Sequence, residues 1–447
     1  MMDVSECVAL MVNSTGMTVS CPESKLEEKH YGLGVFHAGG KSPLMVPIME
    51  ELRHLDLIIY GCTGFTGKLA CEYMASFYGE GSNVKWGIAG RNKEKVEAIK
   101  NDICKLPDLE IFIVDSKDVF GLTDMAIKTK AIITFVGPYA LYGSDLIKVC
   151  AEVGTHYADL TGELPWVKQM KTQLHDIAVE KKSRIVPTCG FDSVPSDLGV
   201  FEIVQYMKKE YNEECLRCQG AFVDGKGGFS GGTLASGLNL VENMAEEFYK
   251  SRIDPVYLLP DDAKHDRDEP DQTTYEWNED FQSWTSPFVM SPVNCRMVRL
   301  SSFLLNYGSE FTYSESKLDH SKFAAMKSSF VNSLTGKAFS TSFSRSITKR
   351  FGPKPGEGPS EKILKEGFFH SRYIGISKDT NKRVVCDVKS NRDPGYGATA
   401  RMLCEAGLCL ALDDLQCEFG FITPAVLGSL YVARLKKAEM SFEISVS

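Results

Sequence analysis

The stretch Leu55-Asp-Leu-Ile-Ile-Tyr60 runs directly into Gly61-Cys-Thr-Gly64-Phe-Thr-Gly67, and helical spacing begins at once after it. A strand, a glycine-rich loop and a helix in that order leave few folds open. Gly61 permits the tight turn out of the strand, Gly64 lets the backbone come close to a diphosphate, and Gly67 lets the helix pack closely on the sheet. The unbonded N–H groups and the dipole of the helix N-terminus then favour a negative charge above the loop. Thr63 and Thr66 add hydroxyl donors on either side of Phe65. A glycine triplet alone would fit any tight turn before a helix, so its context decides the reading.

That context is regular. Apolar runs alternate with helical stretches, the signature of a parallel sheet covered on both faces. Strands are expected at Leu55–Tyr60, Val84–Ala89, Ile111–Val114, Ala131–Val136, His156–Ala158 and Arg184–Pro187, with crossover helices between them. Such a set is a complete doubly wound, Rossmann-type sheet. Beyond about Leu198 the rhythm changes. Phe288–Arg299 and Phe368–Ile376 alternate as antiparallel strands do, Asp261–Asp271 is a charged surface loop, and Gly352–Ser360 is a Pro/Gly-rich linker. Helical spacing returns in Gly397–Leu412 and Pro424–Ala438, and a last strand is expected at Met440–Val446. The fold class is therefore α/β, a doubly wound parallel sheet plus a second α/β unit with a largely antiparallel or mixed sheet. The expected divisions are an N-terminal extension (1–52), a nucleotide unit (53–198), a substrate or dimerisation unit (199–392) and a C-terminal segment packing back on the core (393–447).

The end of the second strand selects the nucleotide. NAD sites place an acid there for the ribose hydroxyls. This chain has Ala89-Gly90-Arg91-Asn92-Lys93, whose cations suit a 2′-phosphate and point to NADP(H), although Arg91 and Lys93 also fit a solvated helix start. Asp115 closes the third strand near the adenine position, and Val136-Gly137-Pro138 closes the fourth beside the nicotinamide ribose. Candidate proton donors stand at strand ends. They are Tyr139, and Asp192 in Gly-Phe-Asp-Ser-Val-Pro-Ser-Asp, where Asp192 is equally suited to cap the next helix. No Tyr-x-x-x-Lys pair accompanies Tyr139 to make it a stronger acid. His156 fits strand packing as well as catalysis. In the second half, Gly225-Lys-Gly-Gly-Phe-Ser-Gly-Gly-Thr233 opens a helix; it suits a substrate anion, with Ser230 and Thr233 as contacts, or a lid.

Composition narrows the partners. A net charge of -9 argues against nucleic acid. No apolar run reaches the roughly 18 residues of a membrane span. The 14 cysteines lack framework spacing and suit a reducing, intracellular setting. Asp3, Glu6, Glu23, Glu27 and Glu28 in an arginine-free N-terminus do not support a mitochondrial transit peptide. Lys337–Lys354 mixes Arg345, Lys349 and Arg350 with Phe339, Phe343, Ile347 and Phe351, which suits either an anionic lipid surface or a helix lying on the core.

Several blocks together resemble the saccharopine dehydrogenase-like oxidoreductases and their relatives, the trans-acting enoyl reductases. They are GCTGFTGKLA (Gly61–Ala70), AGRNKEK (Ala89–Lys95), VGPYALYG (Val136–Gly143), HYADLTGE (His156–Glu163), CGFDSVPSDLG (Cys189–Gly199), FSGGTLAS (Phe229–Ser236), KPGEGPSE (Lys354–Glu361), DPGYGATARMLCEAGLCLAL (Asp393–Leu412) and ITPAVLG (Ile422–Gly428). The resemblance runs from about Leu55 to the C-terminus. It implies an NADP(H)-dependent reduction of a carbonyl or enoyl group on a small or lipid-linked acyl substrate; a cytoplasmic protein or one peripheral on a membrane or lipid droplet, and a homodimer, are the further expectations. Two rivals stand beside it: a nucleotide-binding lipid-surface protein without turnover, and a saccharopine-type amino-acid dehydrogenase.

Overall fold

The computed structural model describes residues 52–228, 231–260, 263, 270–338, 345–346, 350, 354 and 357–446. The N-terminal extension, apart from Leu52, and Ser230 lie outside these residues. So do most of the charged loop 261–271 and most of the basic segment 337–354.

The first sheet begins with β1 (Leu55–Tyr60), β2 (Trp86–Gly90), β3 (Glu110–Ile113), β4 (Thr129–Thr134), β5 (His156–Asp159) and β6 (Arg184–Val186). These six strands are parallel, in the order β6-β5-β4-β1-β2-β3. Each was legible to within two residues, because a strand buried on both faces is a near-continuous apolar run. β1 shows why. Leu57 and Ile59 enter one core cluster while Ile58 and Tyr60 enter another on the opposite face.

The second sheet takes β7 (Cys215–Lys226), β8 (Glu276–Asn278), β9 (Ser283–Ser286), β10 (Thr312–Asp319), β11 (Phe368–Ser377) and β12 (Arg383–Ser390). β7 and β10 run parallel and the other pairings are antiparallel, so the sheet is mixed. The chain then visits both sheets. β13 (Gly420–Phe421) adds in parallel beside β6 as a seventh strand of the first sheet, and β14 (Met440–Val446) pairs with β12 at the edge of the second.

Six helices shape or support the site: α1 (Phe65–Phe77), α2 (Val194–Tyr211), α3 (Gly231–Asn243), α4 (Ser291–Leu305), α5 (Lys322–Ala338) and α6 (Thr399–Leu412). α4 corrects the expected strand at Phe288–Arg299. Pro292 opens the helix, and Arg296 and Arg299, charged residues that a strand reading sends to solvent, are buried. The Arg296 guanidinium donates to the carbonyls of Asp254 (3.1 Å) and Arg252 (2.8 Å) and pairs with Asp271. Buried arginines satisfied by backbone oxygens defeat a reading that sends every charge to solvent.

α6 lies on the first sheet beside α1. A side-chain carbon at Gly407 would stand 2.5 Å from Ile133 Cγ2 and 2.7 Å from Leu57 Cδ1, so helix and sheet touch at van der Waals distance. Glu405, fully buried on α6, accepts from the hydroxyls of Tyr73 and Tyr78 at 2.7 Å each and faces Arg434 at 3.3 Å.

Another buried acid lies where α2 and α4 pack on the second sheet. Glu315 on β10 accepts from Ser196 Oγ at 3.0 Å and Asn294 Nδ2 at 3.1 Å, and burial pushes its carboxyl from 4.5 up to about 7. The folded form therefore holds this proton more tightly than the unfolded chain does. Its contribution to stability is full below about 4.5 and is lost as pH rises to about 7. Glu315→Gln removes that loss. Calorimetry at pH 5 and pH 8.5 should show a smaller fall in Tm for the variant than for the wild type. Equal falls would refute the raised carboxyl.

Candidate active site

A cleft of about 710 Å3 opens where β1, β2 and β4 end. One wall is the first sheet's rim: Tyr60, Gly61, Thr63, Gly64, Gly90, Arg91, Ser116 and the turn Phe135–Pro138, with Leu141 and Tyr142 beyond. The facing wall is α3, which contributes Gly231, Gly232, Leu234, Ala235, Leu238 and Asn239, and Lys354 adds a cation.

The glycine loop has the form a diphosphate needs. Gly61 sits at φ +88°, and a side-chain carbon there would stand 2.7 Å from Val136 Cγ2. At Gly67 such a carbon would stand 2.2 Å from the Gly61 carbonyl oxygen, so any other residue would push α1 off the loop. Gly64 caps α1 without a side-chain hydrogen bond, which leaves the first-turn N–H groups for a ligand. These features fit a dinucleotide.

The other expected contacts divide. Thr66 and Gly67 lie in the first turn of α1, beneath the cleft surface. Phe65 packs edge-on against Tyr396 with ring centroids 5.3 Å apart. Arg91 is exposed on the cleft and, among the described residues, in no ion pair. Lys93 lies outside the lining, 3.9 Å from Glu97 along its own helix. Asp115 also stays outside, accepting from the Lys117 N–H at 3.0 Å, and Ser116 takes the place on the rim. Val136, Gly137 and Pro138 line the cleft, with a cis bond between the last two.

Among the candidate proton donors, Tyr139 is turned inward. Its hydroxyl donates to the Thr134 carbonyl at 2.9 Å, and burial raises its pKa well above the ordinary phenol range. That geometry counts against Tyr139 as an acid. His156 is a packing residue: its ring accepts from the Arg184 N–H at 3.0 Å, and burial drops its pKa to about 3. Cys215 and Cys218 are buried core thiols. Thr233 bonds the Tyr396 hydroxyl at 3.1 Å.

Asp192 differs from all of these. It precedes Ser193, the residue at the cap position of α2, and makes no capping hydrogen bond. Among the described residues no hydrogen-bond partner holds its carboxyl, and burial pushes it up to about 6. Its Oδ2 and Val293 Cγ2 flank Gly162, 3.5 and 3.9 Å from where a side-chain carbon would stand. The neighbouring Phe191 packs on Phe369 and Phe222 at 5.0 and 6.2 Å, and Phe222 stacks on Phe288 at 5.2 Å.

Sequence reasoning missed Glu163. Its carboxylate accepts the N–H groups of Tyr139 and Ala140, both at 2.9 Å, and a hydrogen bond from Ser236 of α3. One acid thus ties the end of β5, the cis-proline turn and the facing helix. No local signal marks it, because its partners lie on three separated segments.

Residues 57–186 match the saccharopine dehydrogenase NADP binding domain family. A putative trans-acting enoyl reductase of Mycobacterium tuberculosis is 34% identical over 412 residues, which is 88% of this chain and 97% of that protein. The trans-acting enoyl reductase of Mycobacterium ulcerans is 33% identical over 407 residues, 86% of this chain and 96% of that one. Among solved structures, the apo saccharopine dehydrogenase (L-Glu forming) of Saccharomyces cerevisiae shares the fold. Its TM-score is 0.51 at 9% identity, over 88% of this chain and 100% of that one. The chain belongs to the saccharopine dehydrogenase-like oxidoreductases, alongside the trans-acting enoyl reductases, and is an NADP-binding enzyme of that family.

Proposed function

We propose that this enzyme reduces an enoyl group, or a carbonyl, of an acyl substrate with NADPH, and that Asp192 gives the proton. The observation that carries the reading is a carboxyl without a hydrogen-bond partner among the described residues, in the loop between β6 and α2, outside the cleft's lining and next to Phe191 in a row of phenylalanine rings. NADPH supplies the hydride when bound. The protein's part is to hold the nucleotide, exclude water and deliver a proton. Arg91 pairs with the 2′-phosphate, while Leu234 and Leu238 of α3 close the cleft over the rim. A carboxyl near pH 6 is well matched to general acid work, since it both carries a proton and releases it close to neutrality. After turnover Asp192 recovers its proton through its partial exposure to solvent. Phe191, Phe222 and Phe288 favour an apolar acyl chain. A saccharopine-like substrate, with several carboxylates, would be repelled by the same acid. The name carried by the mycobacterial relatives makes an enoyl thioester the first substrate to try.

A second observation favours work at a lipid surface. On α5, Phe323 is 71% exposed and Phe330 63%, with Met326 and Leu334 on the same stripe and Lys322 and Lys327 exposed nearby. Among the described residues no helix is long and apolar enough to cross a membrane. Aromatic side chains beside lysines suit insertion into an anionic lipid interface from one side.

These readings predict three outcomes. Arg91→Ala should weaken NADPH by about tenfold or more, roughly 1.4 kcal/mol, while leaving NADH unchanged in titration calorimetry. Equal losses for both nucleotides would remove Arg91 from 2′-phosphate recognition. Asp192→Asn should lower kcat by roughly 10²-fold or more with NADPH affinity intact, and abolish the inflection near pH 6 in the rate of NADPH oxidation. Activity with a β-ketoacyl but not an enoyl thioester would reassign the reaction to the carbonyl, and no oxidation with either would support the non-catalytic rival. Phe323→Ser with Phe330→Ser should abolish flotation with phosphatidylserine vesicles. Unchanged flotation, or none for the wild type, would refute the lipid reading.

A further inference from the structure

α3 carries a buried polar group that lacks a bonding partner among the described residues. Asn239 is 6% exposed and lines the cleft. Its Oδ1 accepts from Asn243 Nδ2 at 2.7 Å, but its Nδ2 has no hydrogen-bond partner among the described residues. A buried donor without an acceptor costs about 1–3 kcal/mol. Leucine would avoid that cost, as Leu234, Ala235 and Leu238 do on the preceding turns of this wall, while Glu242 and Asn243 line its next turn. Asn243 is exposed, so water can satisfy it and the Asn239–Asn243 bond does not by itself require an amide at 239.

We infer that Asn239 binds the cofactor, its amide N–H donating to an oxygen of the dinucleotide from the wall opposite the glycine loop. This rests on the assignment of the cleft to NADP(H). The nucleotide is then held from both sides, by Gly61–Gly64 and Arg91 on the first sheet's rim and by Asn239 on α3. The second half of the chain becomes part of the cofactor site as well as the substrate site.

α3 is placed to do this before any ligand arrives. Thr233 bonds the Tyr396 hydroxyl at 3.1 Å, Ser236 bonds Glu163, and Glu242 faces Arg345 at 3.6 Å. Three ties along one short helix fix where the Asn239 amide points, and such preorganisation lowers the ordering cost of binding. The Ser236–Glu163 tie also joins α3 to the cis-proline turn, so the same carboxylate that shapes the rim sets the distance to the facing wall.

The test is Asn239→Leu in the full chain, with NADPH affinity by titration calorimetry and the Tm of the free protein. The expected result is an NADPH Kd raised about tenfold, with a Tm unchanged or higher because the unsatisfied donor is gone. An NADPH Kd within about twofold of wild type overturns the inference. So does a fall in Tm that accompanies the loss of affinity, since that would make Asn239 structural. Titrations with 2′-phospho-ADP-ribose and with nicotinamide mononucleotide locate the bond: one half of the cofactor should carry the loss, and a loss in neither overturns the contact. A wild-type protein that does not bind NADPH would instead fail the cofactor assignment itself.

Discussion

The structure depends on covering the first sheet on both faces. A parallel sheet of this kind has no face suited to water, and crossover helices alone do not finish the job here. α1 covers one part of one face, and α6, from the far end of the chain, covers the rest. Gly407 is the point of closest approach, against Ile133 and Leu57. Glu405 is the polar counterpart, held by Tyr73 of α1, by Tyr78 just past its end and by Arg434. Both contacts join α6 to segments more than 270 residues away, and breaking the second would leave a buried carboxylate without compensation. The nucleotide unit is therefore not a module that the second half merely trails. Its hydrophobic core is finished by residues 399–412, and its sheet by Gly420–Phe421.

That return path positions the site. Because α6 and β13 anchor the C-terminal segment on the first sheet while β14 pairs with β12, the second sheet is fixed close to the rim of the first. β7 leads into the glycine-rich entry of α3, and α3 comes to lie across the strand ends. The cleft is the space left between two surfaces that the core has already placed. Glu163 then trims it, drawing the cis-proline turn and α3 onto one carboxylate.

The legible part of the sequence was the part governed by short-range rules. The glycine loop, the six central strands and Arg91 at the end of β2 come from spacing and from what a diphosphate or 2′-phosphate demands. What escaped depends on distant partners. The alternation at Phe288–Arg299 suggested a strand, because nothing local says that Arg296 and Arg299 find backbone carbonyls inside the protein. Tyr139 looked like an acid at a strand end until Thr134 took its hydroxyl. Lys93 and Asp115 were placed by analogy with strand ends, whereas a turn of helix and an Asx bond direct them elsewhere. Glu163 and Asn239 could not be found from periodicity, since their meaning lies in what surrounds them.

Within this protein, hydrogen-bond partners inside the fold mark several chemically apt polar groups as structural. Tyr139, His156 and Thr233 are chemically apt for catalysis or binding, and each has a partner inside the fold. Asp197, in the first turn of α2, is as buried as any acid here; one oxygen receives the Ala425 N–H at 2.8 Å, and the other has no partner among the described residues. Among the described residues Asp192 and the Asn239 amide nitrogen lack such partners; Asp192 lies outside the lining of the cleft and flanks Gly162, next to Glu163, whereas Asn239 lies on the cleft one turn along α3 from Ser236. An unmatched buried polar group calls for an explanation, and at Asn239 the cleft offers one. On the reading proposed above, Asn239 would hold the nucleotide from the cleft wall, and Asp192, beyond the cleft's lining, would serve the molecule that is reduced.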